Sequence, residues 1–386
     1  MRRRAASSLP NPFMTRAARG SYSASMDVVT VDLTGGRVAE EAQMRVFLNF
    51  GEHGRELITS QVAFRLLQLL SLGPAATAVA ALRGSAPSGG GAAALAAALE
   101  RTVFKVVPLE NAGGRAKVES GELCLRKNGR GVDPNRNWGM HWGFKEKDFD
   151  PYEEAPGAHP FSEPEAVLLR DALAAWRPLA WVNVHSGMRA LFMPYDHVAA
   201  MPQGPGGDAM RAVLASLRAS HCPECVTGSG GASVGYLAHG TATDYIFVNM
   251  SVPVVMTWEI FGDEKAAFDD CFRMFNPLTR EEHDTVADTW AAACAALPGA
   301  LAEHVAPRPR GWAAGAVRTG ATAVRRAGGD ALPGAAPLPR PWIAYGGAAL
   351  LVVGALTMAA GGARRRAGAR AAARDAAGAF AGKQSV

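Results

Sequence analysis

Met44-Arg-Val-Phe-Leu-Asn-Phe50 runs into Gly51-Glu52-His53-Gly54-Arg55-Glu56, and Leu57 to Leu72 then repeats apolar residues at helical spacing. The first heptad is β-rich and apolar enough to predict a buried strand, and the last stretch predicts a helix packed on it. A strand, a short polar loop and a helix form the half-unit from which parallel sheets are built. The same alternation recurs outward from it. Phe104 to Pro108, Leu179 to Val184, Leu191 to Met193 and Val252 to Trp258 read as strands, while 163–176 and 208–220 have helical periodicity. This predicts an α/β fold: one three-layer α/β/α domain over 27–300 around a mostly parallel or mixed central sheet.

The flanks differ in composition. The chain is 48% hydrophobic and 19% charged, which excludes wholesale disorder. Its net charge of +5 is unevenly placed. Residues 1–26 carry five Arg and no acid, residues 301–386 carry eleven Arg and Lys383 against three acids, and the middle is therefore acidic. A basic groove for nucleic acid is not expected. The segment 1–26 reads as targeting-like or disordered, resembling an organelle transit peptide more than a secretory signal. Residues 73–99, rich in Ala, Gly, Pro and Ser, read as a low-complexity solvated insertion and 301–341 as a linker. Residues 342–363 hold no charge, long enough to span a bilayer, with Trp342 and Tyr345 at one end and Arg364, Arg365 and Arg366 directly after the other. The expectation is a single-pass membrane anchor with a basic cytoplasmic tail at 364–386 and the large domain lumenal or extracellular. An organelle-targeted protein is the alternative. Five cysteines are too few for a disulfide scaffold, and Cys222-Pro-Glu-Cys225 reads as a local disulfide or as plain thiols more readily than as a metal or redox site.

Candidate chemistry sits where strands end. His53 and Glu56, three apart after the first strand, can reach one ion, and His185 ends the run Trp181-Val-Asn-Val184. Imidazoles and a carboxylate suit zinc, and a catalytic zinc keeps an open position. Glu259 follows an apolar strand, where an unpaired carboxylate is costly and therefore either paired or functional. The segment Leu125-Arg126-Lys127-Asn128-Gly129-Arg130-Gly131-Val132-Asp133-Pro134-Asn135-Arg136-Asn137-Trp138 interleaves guanidinium groups with amides, as fixed recognition of a carboxylate requires.

Together, His53-Gly-Arg55-Glu56, Gly131 to Trp138, His185-Ser186 and Glu259 resemble the zinc metallocarboxypeptidases of the carboxypeptidase A type, in order and with compatible spacing. The resemblance implies one zinc ion per chain on His53, Glu56 and His185, with Glu259 as general base and acid. It implies that Asn135 and Arg136 grip the C-terminal carboxylate of a peptide or protein, that Arg130 polarises the scissile carbonyl, and that Arg126 and Arg55 line the approach. Tyr236 would cap the bound C-terminal residue, and Asp133 would support the ligands. Thr243 would floor the side-chain pocket. Asp196 lies where some basic-specific relatives place an acid, which points to a neutral or basic terminal residue. Two rival readings are an inactive binder of peptide C-termini and a related zinc hydrolase that removes an acyl group or a side-chain glutamate.

Overall fold

The structure, a computed structural model, describes residues 13–19, 22–83, 91–267 and 269–305. Strands β1 (Phe13–Arg19), β2 (Tyr22–Asp32), β3 (Met44–Phe50), β4 (Thr102–Val107), β5 (Ala180–His185), β6 (Met188–Met193), β7 (Val226–Ser229) and β8 (Val254–Phe261) form one sheet in the order β1-β2-β4-β3-β5-β8-β6-β7. The pairs β3–β4, β3–β5, β5–β8 and β6–β7 are parallel, whereas β1–β2, β2–β4 and β6–β8 are antiparallel. The helices are α1 (Leu57–Leu70), α2 (Pro74–Ala81), α3 (Gly91–Leu99), α4 (Ala112–Glu119), α5 (Pro164–Trp176), α6 (Gly204–His221), α7 (Gly230–Ser233), α8 (Ala242–Val248), α9 (Cys271–Phe275) and α10 (Arg280–His304).

The central strands are apolar on both faces because helices cover both. Val46, Leu48 and Phe50 of β3, Ala180, Val182 and Val184 of β5, and Val254, Met256, Trp258 and Ile260 of β8 join one core with α1, α6 and α10. The intervening Phe47, Trp181 and Val255 join a second core with Trp138, Leu169 of α5 and Ile246 of α8. The period-2 alternation of strands thus divides each run between two layers. It also determines where polar residues on the second face appear. In register across β3, β5 and β8 stand Asn49, Asn183 and Thr257, and one step on, His185 lies opposite Glu259.

Chain order reverses between β3 and β5: the chain leaves β3 for β4 on one side and returns to β5 on the other. The crevice at the carboxyl ends of two such strands is the place where open α/β sheets bind ligands. The His53 loop leaves β3 there and His185 ends β5 there.

Two expectations from composition change. Residues 1–26 do not stand wholly outside the domain: Phe13 to Arg19 pairs antiparallel with Tyr22 to Val28. Met26 and Val28 are buried while Ser23, Ser25 and Asp27 are exposed, so a half-buried strand lies within an Arg- and Ser-rich composition. Within 73–99, the described residues 73–83 and 91–99 are not wholly solvated. They supply α2 and α3, whose Ala78, Ala81, Leu95 and Leu99 join the first core, because alanine lets helices approach closely. Cys222 and Cys225 are joined, as are Cys124 and Cys271, and Cys294 is a buried thiol. Among the described residues no helix is long and apolar enough to cross a membrane. The stretches 301–341, 342–363 and 364–386 lie outside the described residues apart from 301–304, which complete α10, and Val305, which caps it.

Candidate metal centre

The loop from Gly51 to Glu56 is pinned by backbone on every side. Glu110 N donates to Phe50 O, Asn111 N to Gly51 O, the Asn111 side chain to Glu52 O, and Gly54 N to Arg126 O. A side chain at Gly54 would meet the Gly114 and Leu125 backbones at 2.9 Å, so only glycine lets these segments close on the loop. The amino end of α1 is held by Asn276, which accepts from Ile58 N and donates to Arg55 O. The disulfide Cys124–Cys271 ties the start of the arginine segment to α9, next to Asn276.

Held this way, three donors converge. His53 Nδ1 lies 2.6 Å from Glu56 Oε1, His185 Nδ1 lies 3.0 Å from Glu56 Oε2, and the two Nδ1 atoms are 3.1 Å apart. All three side chains are buried. Donors around a tetrahedral zinc stand roughly 3.3 Å apart, so an ion fits by replacing the protons that now join these groups. Glu52 also reaches this cluster, its carboxylate being within 4.8 Å of donors on His53 and His185. It meets His185 on Nε2, at 3.1 Å, on the ring edge away from His53. Glu56, touching both Nδ1 atoms, is the carboxylate placed to share an ion with them. His53 Nε2 in turn lies 3.3 Å from Asp133 Oδ1.

Burial pushes the Glu56 carboxyl up, but His53 and His185 outweigh it and hold it well below the usual range. Burial opposes a proton on His185, but Glu56 and Glu52 raise its affinity well above that of an ordinary histidine. A metal must therefore displace a proton at neutral pH. Zinc uptake at pH 7 is expected to release about one proton, and apparent affinity to fall about tenfold per unit of pH lowered. Calorimetric titration in buffers of different ionisation enthalpy checks this; no buffer dependence would contradict it.

Glu259, in register with His185, has a buried Oε2 without a hydrogen-bond partner. Burial, with Glu56 adding and His185 opposing, pushes it up to about 7. Arg126 stands on the same side: its Nε donates to Asp133 Oδ2 at 2.8 Å, and its charge acts on Glu56 and Glu259. Arg130 does not come to this site. Its Nε and Nη2 donate to Glu163 at 3.0 and 2.7 Å, and it lies over the Tyr22 ring. The cause is the turn between the two arginines, where Asn128 Oδ1 accepts from both Arg130 N and Val132 N and turns Arg130 outward toward α5.

Asn135 and Arg136 follow on a short turn capped by Asp133, which accepts from Asn135 N. Asn135 Oδ1 accepts from Ala242 N, at the start of α8. Arg136 donates to Glu154 at 2.8 Å, and Arg55 is gripped by both oxygens of Glu153 at 3.0 and 2.6 Å beneath the Phe275 ring. Arg55 is thus paired within the chain, as Arg136 is with Glu154. Tyr236 lies close enough to Arg126 and Arg136 to interact with both charges. Thr243 is fully buried with its hydroxyl 2.8 Å from that of Thr257. Asp196 is bonded to the hydroxyls of Thr241 and Thr243, and burial and Asp244 push it up to about 7. Sequence reasoning missed Glu52, Glu153, Glu154 and Asp244. Of these only Glu52, polar beside a ligand at a strand end, carried a local signal.

Two imidazoles and a carboxylate at a strand switch point, with an unpartnered acid and paired arginines around them, have the donors to hold a metal ion. Comparison with known proteins agrees: the family of zinc carboxypeptidases, described as "Peptidase_M14: Zinc carboxypeptidase", matches residues 21–292, and the chain belongs to it. It is 25% identical over 246 residues to zinc carboxypeptidase A 1 of Drosophila melanogaster, covering 60% of this chain and 52% of that protein. The chain therefore spans about half the length of that curated relative. Its fold is similar to bovine thrombin-activatable fibrinolysis inhibitor, solved with a tick carboxypeptidase inhibitor, at TM-score 0.54 and 20% identity over 77% of this chain and 91% of that one. It is similar also to carboxypeptidase A from Helicoverpa armigera, at TM-score 0.55 and 19% identity over 76% and 70%.

Proposed function

We propose that the chain is a zinc-dependent carboxypeptidase that releases the last residue of peptides or proteins. The observation that carries this reading is the convergence of His53, Glu56 and His185 beside the unpartnered Glu259 Oε2. Zinc, when bound, supplies a Lewis acid that makes water nucleophilic near neutral pH. Glu259 Oε2 accepts the proton of the attacking water and passes it to the leaving amine. Arg126, fixed by Asp133, faces the carbonyl oxygen as charge develops on it. Arg136 and Asn135 take the substrate's terminal carboxylate, with Arg136 exchanging Glu154 for it, and Tyr236 covers the bound residue. Stripping zinc with a chelator is expected to abolish release of C-terminal residues and re-addition to restore it. Full activity in metal-free protein would sink the reading.

The side-chain pocket holds Asp196 beside Thr243, which favours a neutral or basic terminal residue. With matched peptides ending in Lys or Phe, Asp196→Ala is expected to lower the Lys-to-Phe ratio of kcat/KM about tenfold or more. An unchanged ratio removes Asp196 from specificity. From sequence composition alone, residues 342–363 are read as a membrane anchor.

A further inference from the structure

Glu52 is fully buried, and its carboxylate meets Asn183 and His185. Its Oε2 accepts from Asn183 Nδ2 at 2.7 Å and lies 3.1 Å from His185 Nε2. Asn183 Oδ1 accepts from Asn49 Nδ2 at 2.9 Å, and the same amide donates to Glu110. Asn49, Glu52, Glu110 and Asn183 are all at 0% exposure. Four such side chains cost stability unless they do something together.

Their geometry says what. An imidazole that offers Nδ1 to a metal carries its proton on Nε2, and the group accepting that proton sets both tautomer and ring angle. For His53 the carboxylate near Nε2, at 3.3 Å, is Asp133, which also holds Arg126. His185 has no such neighbour from the arginine segment, and the carboxylate at its Nε2 is Glu52. We infer that Glu52 is the positioning residue of His185, accepting its Nε2–H and holding Nδ1 toward the zinc, while Asn183 fixes the angle of the carboxylate. This rests on His53, Glu56 and His185 being the zinc ligands. Burial and the charge of Glu52 push the Glu110 carboxyl well above the ordinary range, so Glu110 enters the network as a neutral acid. The network then acts on His185 through Glu52.

The test is zinc affinity by competition with a chromophoric chelator, in wild type, Glu52→Gln and Glu110→Gln, with the visible spectrum of the cobalt forms and the unfolding midpoint of the metal-free forms. Expected for Glu52→Gln are 10- to 100-fold weaker zinc binding, an unchanged cobalt coordination spectrum, and a metal-free midpoint no lower than wild type. Glu110→Gln is expected to bind zinc within about threefold of wild type. Wild-type affinity in Glu52→Gln overturns the inference. So does equal weakening in both variants, which would make the network mere packing, and so does a changed cobalt spectrum, which would make Glu52 itself a ligand. Should Glu52→Gln not fold, the zinc-loaded wild type decides by NMR: a slowly exchanging, downfield His185 Nε2–H supports the inference and its absence overturns it. Wild type that binds no zinc would fail the metal assignment itself, whereas wild-type binding left unaffected in Glu52→Gln fails only the role of Glu52.

Discussion

Glu259→Gln is expected to lower kcat/KM by about a thousandfold or more while zinc stays bound. Positioned proton transfer contributes on the order of 10²–10⁴, and Glu259, in register with His185, carries an oxygen buried without a partner. Glutamine keeps the shape and cannot take a proton. The same variant tests the electrostatics of the metal-free protein. A carboxyl raised to about 7 in the folded state, against 4.5 as the ordinary value, binds more protons folded than unfolded between those values. Stability therefore falls as pH rises through that window. Glu259→Gln is expected to flatten that fall, measured by denaturant unfolding of metal-free protein at pH 5 and pH 8. A variant retaining activity within tenfold would remove Glu259 from the chemistry.

Arg126→Met is expected to lower kcat by about 10²–10³ with a smaller change in KM, the signature of a lost contact to developing charge. Arg130→Met is expected to leave both constants within a few-fold and to lower only the unfolding midpoint, because Arg130 partners Glu163 at the end of α5. Since Arg126 also neutralises the buried Asp133, Arg126→Lys accompanies it: it keeps the charge and is expected to recover part of kcat. If Arg130→Met were the damaging change, the assignment would revert to Arg130. The two residues are four apart in a segment rich in arginine, and spacing alone favours neither. The decision belongs to Asn128, whose carbonyl oxygen closes a turn on two backbone amides and sends the next guanidinium the other way.

The same contrast runs through the protein. The strand–loop–helix unit at 44–70, the strands bearing His185 and Glu259, and the α/β class are local properties: hydrophobic period and run length follow from the residues themselves, and they survive in the structure. Composition misled where it averaged over alternation. The Arg- and Ser-rich start contains a strand because Met26 and Val28 alternate with polar neighbours, and the Ala-rich helices α2 and α3 pack because small side chains can.

The two histidines of the metal-capable cluster were legible at strand ends, whereas Glu52 beside them was not singled out. What the sequence by itself determined about this protein is thus which side chains have the chemistry for a zinc site and that a parallel-type sheet would bring strand ends together. Only the tertiary structure decided that Arg126 pairs with Asp133 while Arg130 pairs with Glu163, that Arg55 pairs with Glu153, and that Glu52 meets His185. The physical reason is range. Periodicity and metal preference are encoded within a few residues, whereas the partner of a charge is settled by segments such as those of Glu52 and Asn183, 131 positions apart, that meet only when the sheet forms.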